Sequence, residues 1–424
     1  MAGSDFLVLD PESEPARPRT DWLTDAVRAA IATGRLRVGD RLPPTRELAA
    51  DLGLSRGVVV EAYRRLADEG LLTGRSAAGT RVQASASRPP PLSAAERSVT
   101  EPRYDLSPGV PDLSAFPREA WLRAERAVLS SLSERDLRYG DPRGTTALRE
   151  ALAVRLARTR GVRASPADVL VLNGVAQGLT LLGRVLPEAG LPLLAVEDPG
   201  SYGARTTLEH AGLRTTAVPV DDAGLDVDQL TATGAGAVLV TPAHQWPTGV
   251  VLGPERRRAL LAWAADGGLV VEDDYDAEHR YDRPPVPSLQ ALATERVVHL
   301  GSVSKSLAPA LRLGWMIAPR PLHEALVEAK RHADIASPAL AQLVLARLMT
   351  GGDLDRHLRA VRARHRRRRD AMLTALTRHL PDLRIHGIAA GLHLLATGPS
   401  LADDQAVEAT ALRHGVRVQA LSPH

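Results

Sequence analysis

The sequence predicts two domains, a small and largely helical one at residues 20–83 and a larger α/β one at residues 104–424. In the first region, apolar residues recur at helical spacing and end in a pattern typical of a β-hairpin. Residues 84–103 contain three successive prolines and many small polar side chains, which is typical of a linker. Beyond the linker, short apolar runs alternate with helix-compatible stretches, and this alternation predicts a mainly parallel sheet covered by helices. The six runs lie at 169–172 (VLVL), 193–196, 237–240, 269–272, 297–300 and 314–318.

Length and composition exclude several classes of protein. The chain of 424 residues is 44% apolar and 24% charged, as in ordinary globular domains. It contains no run of 18 consecutive apolar residues, so we expect no transmembrane helix and no membrane partner. The N-terminus is acidic and lacks an apolar core, and cysteine is absent. We therefore expect a cytoplasmic protein without a secretory signal or disulfides.

The first domain is predicted from four successive elements. Residues 21–33 place apolar side chains on one helical face, and a short helix follows at 45–51. Ser55 is then placed to cap a second helix at 56–69, and the segments LLTGR and GTRVQ predict a β-hairpin. Together these elements predict a winged helix-turn-helix, whose second turn-motif helix enters the major groove of DNA. Helical periodicity alone also fits a small all-α accessory domain.

The predicted helix at 56–69 has one apolar and one basic face. Its apolar side chains at helical spacing are Val59, Ala62, Tyr63 and Leu66. Its arginines Arg56, Arg64 and Arg65 remain for solvent or for DNA phosphates.

The segment from Gly34 to Thr80 carries a family resemblance along its whole length. Its sequence, GRLRVGDRLPPTRELAADLGLSRGVVVEAYRRLADEGLLTGRSAAGT, resembles the N-terminal domain of GntR-type bacterial regulators. The resemblance implies operator DNA as a partner. It also implies DNA-binding roles for a phosphate contact, the start of the recognition helix and the wing tip. By this resemblance, Arg46 contacts a DNA phosphate, and Ser55, Arg56 and Gly57 open the recognition helix. Gly79 at the wing tip approaches the minor groove.

Only two of the 53 basic residues are lysines, Lys305 and Lys330. A lysine can lose its proton and attack a carbonyl carbon, whereas a guanidinium group cannot. Lys305 follows an apolar run and lies among small residues in GSVSKSLAPALRLGW. In the same segment, Ser302, Ser304 and Arg312 could hold a phosphate dianion. The alternative is an ordinary surface lysine in a Ser/Gly loop.

Acidic residues cluster in EDDYDAEHRY, which begins at the end of another apolar run. The carboxyl end of such a strand is where α/β folds place their ligand chemistry. Asp273 could pair with the protonated pyridine nitrogen of pyridoxal 5'-phosphate (PLP), and Tyr275 could hydrogen-bond its phenolic oxygen. The alternative is a metal site made by Asp273, Asp274 and Asp276, and we expect no metal.

Three further segments follow apolar runs and extend the same constellation. In LNGVAQGLTLL, the backbone amides of Val175 and Ala176 at a helix N-terminus would hold a phosphate. In VEDPGSYGAR, Tyr202 offers a ring that could stack on the cofactor. The segment TPAHQWPTGVV, punctuated by proline and glycine, predicts an active-site loop.

In this order, the segments of residues 104–420 resemble fold-type-I PLP-dependent aminotransferases. A GntR module before such a domain is similar to the MocR/GabR-type regulators, and EDDYDAEHRY, PAHQWPTG and GLHL resemble that subfamily more than free-standing enzymes. The resemblance implies a dimeric transcriptional regulator with PLP bound to Lys305 through a Schiff base. The implied effector is a small amine, an amino acid or PLP itself.

Several positions depart from the family pattern. Ser201 stands where the stacking aromatic is usual, and Trp246 precedes Pro247 where aminotransferases carry Asn. Either His244 or Gln245 is a candidate to replace that Asn. The chain ends at GVRVQALSPH, before the segment that in family members supplies an arginine for the substrate carboxylate. We therefore expect a shortened C-terminal region and poor turnover of amino donors.

Three alternatives stay open at this point. One is a true PLP-dependent aminotransferase with an appended DNA-binding domain, and another is a PLP-free scaffold that only dimerises the winged helix. The third concerns the basic segment 357–370, HLRAVRARHRRRRD, which is either a solvated helix or a DNA-contacting one.

Overall fold

The computed structural model describes residues 18–74, 79–83, 102–282 and 286–423. The chain separates into two compact units, Met1–Glu101 and Pro102–His424, and each is described by itself. Most of the predicted linker lies outside the described residues.

The first unit has the order of elements that the sequence predicts. It contains α1 (Arg19–Ala32), α2 (Thr45–Asp51), α3 (Arg56–Asp68), β1 (Leu72–Thr73) and β2 (Arg81–Val82). The two strands pair antiparallel as a hairpin. This confirms the winged helix-turn-helix and excludes the all-α alternative.

The core of the first unit lies between α1, α3 and the hairpin. The predicted face of α3 is buried, with Val59, Ala62, Tyr63 and Leu66 packed inside. They meet Leu23 and Val27 of α1 and Val82 of β2 in one apolar cluster. Helical spacing places these side chains on one face, and the burial of that face stabilises the small unit.

The second unit begins with a short strand, β3 (Tyr104–Asp105), and is built on an eight-stranded sheet. The strands of that sheet are β4 (Val169–Leu172), β5 (Leu193–Asp198), β6 (Arg214–Asp221), β7 (Gly224–Leu225), β8 (Ala237–Val240), β9 (Leu269–Asp273), β10 (Val297–Ser302) and β11 (Gly314–Ile317). Their order is β4-β11-β10-β9-β8-β5-β6-β7. Only β11 and β7 run antiparallel to their neighbours. All six predicted apolar runs lie in strands, and the mainly parallel sheet is confirmed.

Helices cover both faces of the sheet. They are α4 (Arg118–Ser131), α5 (Thr146–Arg160), α6 (Val175–Glu188), α7 (Tyr202–His210), α8 (Val227–Ala232), α9 (Pro254–Ala265), α10 (Arg320–Asp334), α11 (Ala339–Thr350) and α12 (Asp353–His379). Successive side chains of a strand point to opposite faces of the sheet, so each face packs against its own apolar core. Leu170 and Leu172 of β4 pack with α6, α7 and α10, whereas Val169 and Val171 pack with α4, α5 and α11.

The C-terminal part of the second unit forms two small sheets. β12 (Arg384–His386) and β13 (Leu395–Thr397) pair antiparallel, and α13 (Asp404–Arg413) follows. β14 (Val416–Arg417) then pairs parallel with β3 near the start of the unit. Among the described residues, no helix combines the length and apolar character needed to span a membrane.

Candidate functional site

Most of the predicted cofactor residues meet at one edge of the large sheet. This edge is formed by the carboxyl ends of β4, β9 and β10, which run in the same direction. Asp273 ends β9, Ser302 ends β10, and α6 begins shortly after β4. Because β11 is antiparallel to β10, the loop that carries Lys305 and Arg312 stays at the same edge. Open α/β sheets bind their ligands at such an edge.

Lys305 lies in a confined space beside Gly109. Gly109 has φ +71°, and a Cβ atom built on it would lie 3.1 Å from Nζ of Lys305 and 3.5 Å from the ring of Trp246. Burial lowers the pKa of the Lys305 ammonium, while the carboxylates of Asp276 and Asp273 oppose that shift. A partly buried lysine with a lowered pKa is suited to act as a nucleophilic amine.

Asp273 has an unpaired oxygen in this pocket. Its Oδ1 atom is buried and has no hydrogen-bond partner among the described residues. Burial raises the pKa of Asp273 to about 7, and the neighbouring Asp274 and Asp276 add to the shift while Lys305 opposes it. A buried polar atom without a partner is unfavourable, so an N–H donor from a ligand would stabilise the site. The pyridinium N–H of PLP is a donor of this kind, and the residues present fit it.

The start of α6 and the guanidinium of Arg312 lie together where the sequence predicts the phosphate contacts. Val175 and Ala176 are the first two residues of α6, where backbone N–H groups lack a carbonyl partner within the helix. Gly174 precedes them with φ +85°, and a Cβ atom there would lie 2.5 Å from Nη2 of Arg312. The same Nη2 donates to the carbonyl of Asn173 at 2.7 Å. Only glycine at position 174 lets the guanidinium approach the turn this closely.

Ser302 ends β10 and Ser304 directly precedes Lys305, and both are half-buried. The backbone N–H of Ser304 donates to Oγ of Ser302 at 3.3 Å. Their position agrees with the predicted phosphate contact, which stays a prediction.

The structure brings Tyr275 into the pocket but gives its hydroxyl a protein partner. The Tyr275 hydroxyl donates to the carbonyl of His244 at 2.9 Å and lies 3.3 Å from Nδ1 of the same residue. Its ring stands edge-on to Trp246, with 6.3 Å between the ring centroids. Burial holds the pKa of Tyr275 well above its usual value, so the hydroxyl keeps its proton. A contact with the cofactor's phenolic oxygen would use this hydroxyl as a shared group, and it stays a prediction.

Tyr202 is the first residue of α7, and Ser201 before it caps the helix by accepting from the backbone N–H of Ala204 at 3.2 Å. The Tyr202 residue is 59% exposed. Stacking needs a free ring face, which an exposed side chain can offer. The stacking role of Tyr202 stays a prediction.

The aspartates of EDDYDAEHRY do not gather into a metal site. Asp274 forms a bidentate ion pair with Arg160, whose Nε and Nη2 atoms donate to Oδ2 and Oδ1 at 2.6 and 3.0 Å. Asp276 instead hydrogen-bonds Nδ1 of His244 at 2.8 Å. Because Asp274 and Asp276 already serve different protein partners, the alternative of an Asp273–Asp274–Asp276 metal site is not supported.

Sequence reasoning missed a buried group formed by His244, Asp276 and His393. One donor atom from each lies within 4.8 Å of the others. The ring of His393 lies 4.6 Å from that of His244 and 4.7 Å from that of Trp246. Burial lowers the pKa of His393 to about 3, so its ring is neutral. The His244–Asp276 hydrogen bond holds two of the three residues together. The third, His393, lies in the GLHL segment, which was the hint of this group in the sequence.

In the first unit, the predicted DNA-binding residues lie on the surface. Ser55 caps α3 by accepting from the backbone N–H of Val58 at 3.4 Å. Arg56 and Gly57 open α3, and both are exposed, as is Arg46 on α2. This arrangement agrees with the predicted contacts, although their roles in DNA binding stay predictions.

Gly79 begins the second half of the wing with φ +82°. A Cβ atom built on it would lie 2.4 Å from Nε of Arg41, so a side chain would displace that arginine. The close approach explains glycine here without DNA, and its contact with the minor groove stays a prediction.

Two arginines of α3, Arg64 and Arg65, reach solvent as expected, and both also form ion pairs on the surface. Arg64 pairs with Glu61 and Asp68, both at 2.7 Å, and Arg65 pairs with Asp21 at 2.7 Å. Helical spacing and the contact of α3 with α1 bring these acids close. Such exposed ion pairs are weak, and the role of Arg64 and Arg65 toward DNA phosphates stays a prediction.

Both domains match known families. Residues 104–424 match the model for class I and II aminotransferases, and residues 20–82 match the model for bacterial regulatory proteins of the gntR family. The chain is 35% identical to the HTH-type pyridoxine biosynthesis transcriptional regulator PdxR of Corynebacterium glutamicum, over 98% of this chain and 90% of that protein. It is 32% identical to the probable rhizopine catabolism regulatory protein MocR of Rhizobium meliloti, over 98% and 89%. This chain belongs to the MocR-type transcriptional regulators of the GntR family.

Solved structures confirm the fold of the second unit of this MocR-type regulator. A kynurenine aminotransferase of Pyrococcus horikoshii is 28% identical with a TM-score of 0.70, over 77% of this chain and 83% of that one. An archaeal alanine:glyoxylate aminotransferase gives 28% identity and a TM-score of 0.71, over 78% and 84%. The fold-type-I prediction is therefore confirmed, and the match to this class implies dependence on PLP.

Several arginines in the basic segment of α12 make contacts within the second unit of this MocR-type regulator. Arg364 and Arg368 pair with Asp112 at 2.7 and 3.0 Å. Arg362 donates to the carbonyl of Glu278 at 2.9 Å. These contacts account for several of the charges and favour a structural interpretation of the segment over direct contact with DNA.

Proposed function

We propose that this regulator binds PLP on Lys305, binds operator DNA through its winged helix as a homodimer, and responds to a small amine, an amino acid or PLP itself. The observation that carries the proposal is the pocket at the sheet edge. There, Nζ of Lys305 lies beside Gly109, and a buried oxygen of Asp273 has no hydrogen-bond donor among the described residues. When bound, PLP supplies an aldehyde that condenses with amines and a ring that withdraws electrons.

Each part of the pocket has a separate task in this proposal. Asp273 accepts the pyridinium N–H, and its negative charge keeps the ring protonated. Lys305 supplies the amine that holds the cofactor. The phosphate is held by helix N–H groups, hydroxyls and a guanidinium, which belong to Val175, Ala176, Ser302, Ser304 and Arg312.

The response to an effector requires two conformations with unequal affinity for it. An effector that carries a primary amine competes with Lys305 for the cofactor and so changes what the lysine contacts. The relative at 35% identity is named for pyridoxine biosynthesis, which supports PLP itself as the signal. Either effector would change operator binding by the same linkage.

The first test identifies the lysine. Purified protein mixed with PLP is expected to absorb in the visible range, and borohydride is expected to fix the cofactor on Lys305. Lys330 is a control within the chain, because its side chain is fully buried and paired with Asp334. Modification of Lys330 instead of Lys305 would contradict the proposal.

The second test links the two units. DNA selected from a random pool by the wild-type protein is titrated with the PLP-bound and PLP-free forms. We expect the two affinities to differ, and we expect PLP to have no effect on the Lys305→Ala variant. Equal affinities under all conditions, including added amino acids, would contradict the sensing role.

The second candidate function is a true aminotransferase with an appended DNA-binding domain. The match of residues 104–424 to class I and II aminotransferases favours it, as do Lys305, Asp273 and Arg312 at the sheet edge. Amino acids are mixed with the PLP-bound protein and keto acids are measured over time. Rapid production over many turnovers would favour the enzyme, whereas one equivalent or less would favour the regulator.

A further inference from the structure

Two residues other than glycine have positive φ in the part of the chain that the structure describes, Arg312 at +50° and Ile335 at +63°. A β-branched residue such as isoleucine rarely adopts this conformation, and such strain persists only where surrounding contacts enforce it. Both residues adjoin the same turn. Arg312 donates to the carbonyl of Asn173, and Ile335 directly follows Asp334, which contacts the Asn173 side chain.

Asp334, the last residue of α10, joins that helix to the start of α6. Its Oδ2 atom accepts from Nδ2 of Asn173 and from Nε2 of Gln177, each at 2.8 Å. Nζ of Lys330 donates to both carboxylate oxygens at 2.8 Å, and Lys330 is 0% exposed. The carboxylate thus connects the buried lysine with two residues on either side of Gly174.

The turn itself is fully restrained by these contacts. The backbone N–H of Asn173 donates to Oε1 of Gln177 at 2.8 Å, its side chain donates to Asp334, and its carbonyl accepts from Arg312. Between Asn173 and Gln177 lie Gly174 and the two N–H groups at the start of α6. Restraint of this kind sets a binding geometry before the ligand arrives, which lowers the entropic cost of binding.

We propose that Asp334, neutralised by Lys330, is a positioning residue that holds the Asn173–Gln177 turn ready for a phosphate group. This inference rests on the proposed function, since the phosphate is that of PLP. It also gives the second lysine a role. Its compact ammonium donates to both oxygens of a carboxylate one helical turn away.

The test compares two ligands that differ only in the phosphate, PLP and pyridoxal. Their dissociation constants are measured by absorbance with the full chain and with Asp334→Asn, which keeps the shape of the side chain. We expect Asp334→Asn to weaken PLP binding by about tenfold or more, as for the loss of a charge-assisted hydrogen bond. We expect pyridoxal binding to change by less than about twofold, because pyridoxal makes no use of the turn.

A matched control lies on the same helix. Glu328 of α10 is exposed and pairs with Arg331 at 3.0 Å and with His332 at 3.1 Å. Glu328→Gln removes a comparable charge without reaching the turn, so both ligands should bind as to the wild type. If Asp334→Asn does not fold, Asn173→Ala removes the other end of the contact and should give the same selective loss.

The outcomes separate the inference from the proposed function. A selective loss of PLP affinity supports the positioning role. An equal loss for both ligands shows a general structural role and overturns it, as does no loss at all. If the wild-type protein binds neither ligand, the proposed function fails instead.

Discussion

The two units of this regulator carry their functional residues in opposite surroundings. In the winged helix, Arg46 and Arg56 are exposed, and the neighbouring arginines of α3 are neutralised by acids. In the second unit, Asp273 keeps a buried oxygen without a partner, and the pKa of Lys305 is lowered by burial. Exposed residues act by where their charge is placed, whereas buried ones act because the fold leaves a group unsatisfied. Changes to exposed residues should therefore alter the affinity for DNA and its salt dependence. Changes to buried residues should alter the affinity for PLP and the pH dependence of stability.

The largest expected effect is on the buried side, at Asp273. Asp273→Asn should weaken PLP binding and shift its visible spectrum, because the pyridinium loses its counter-charge. A hydrogen bond to a charged group contributes about 1.5–3 kcal/mol, which corresponds to roughly 10- to 150-fold in affinity. Absorbance titration measures both quantities.

A control for this variant lies near the other end of the same strand. Asp266 is exposed, three residues before β9 begins. Asp266→Asn should leave PLP binding unchanged. If Asp273→Asn also binds PLP with unchanged affinity and spectrum, another group holds the pyridinium.

The next effect in size is on the exposed side, at Arg56. If Arg56 reads a base at the start of the recognition helix, Arg56→Ala should cost specific binding about 1–3 kcal/mol. Binding to an unrelated duplex should change much less. Fluorescence anisotropy with selected and unrelated DNA gives the two affinities at one salt concentration.

Arg46 should behave differently because it is expected to contact a phosphate. Arg46→Ala should weaken binding to every sequence and reduce the slope of log affinity against log salt by about one. A salt titration of both variants measures this. If Arg46→Ala and Arg56→Ala change specificity and salt slope alike, the assigned division between phosphate and base contacts is wrong.

Local sequence patterns predicted the elements and the edge of the sheet where the site lies. The strands follow from apolar runs such as VLVL at 169–172, and the start of α3 follows from the Ser55 cap. These features depend on neighbours in sequence, so a local pattern contains them.

Contacts between distant segments were not predictable in the same way. The Asn173–Asp334 hydrogen bond joins residues 161 positions apart, and the Tyr275 hydroxyl finds the His244 carbonyl across 31 positions. The ion pair between Arg65 and Asp21 spans 44 positions. Each depends on how helices and strands pack, and residue spacing along the chain does not record that packing.

The smallest expected effect is a pH dependence of stability, and it separates the buried side from the exposed one. Burial raises the pKa of Asp273 to about 7 from an ordinary value of 3.8. Between these values the folded protein holds a proton that the unfolded chain has lost. The contribution of Asp273 to the free energy of unfolding is therefore fully present below pH 3.8 and is lost as the pH rises through about 7.

Glu197 titrates in the same window, because burial also raises its pKa to about 7, against the opposing hydrogen bonds from Thr241 and Gln245. The comparison must therefore be made between the wild type and Asp273→Asn, both free of PLP. On raising the pH from 5 to 8, the unfolding midpoint of the wild type should fall by about 4 °C more than that of the variant. Glu197 is common to both proteins and cancels in the difference. Thermal unfolding in a series of buffers measures it, and parallel curves for the two proteins would show that Asp273 is already ionised in the empty pocket. In that case its unpaired oxygen would be stabilised by the Lys305 ammonium, and the contrast between buried and exposed sites would rest on PLP binding alone.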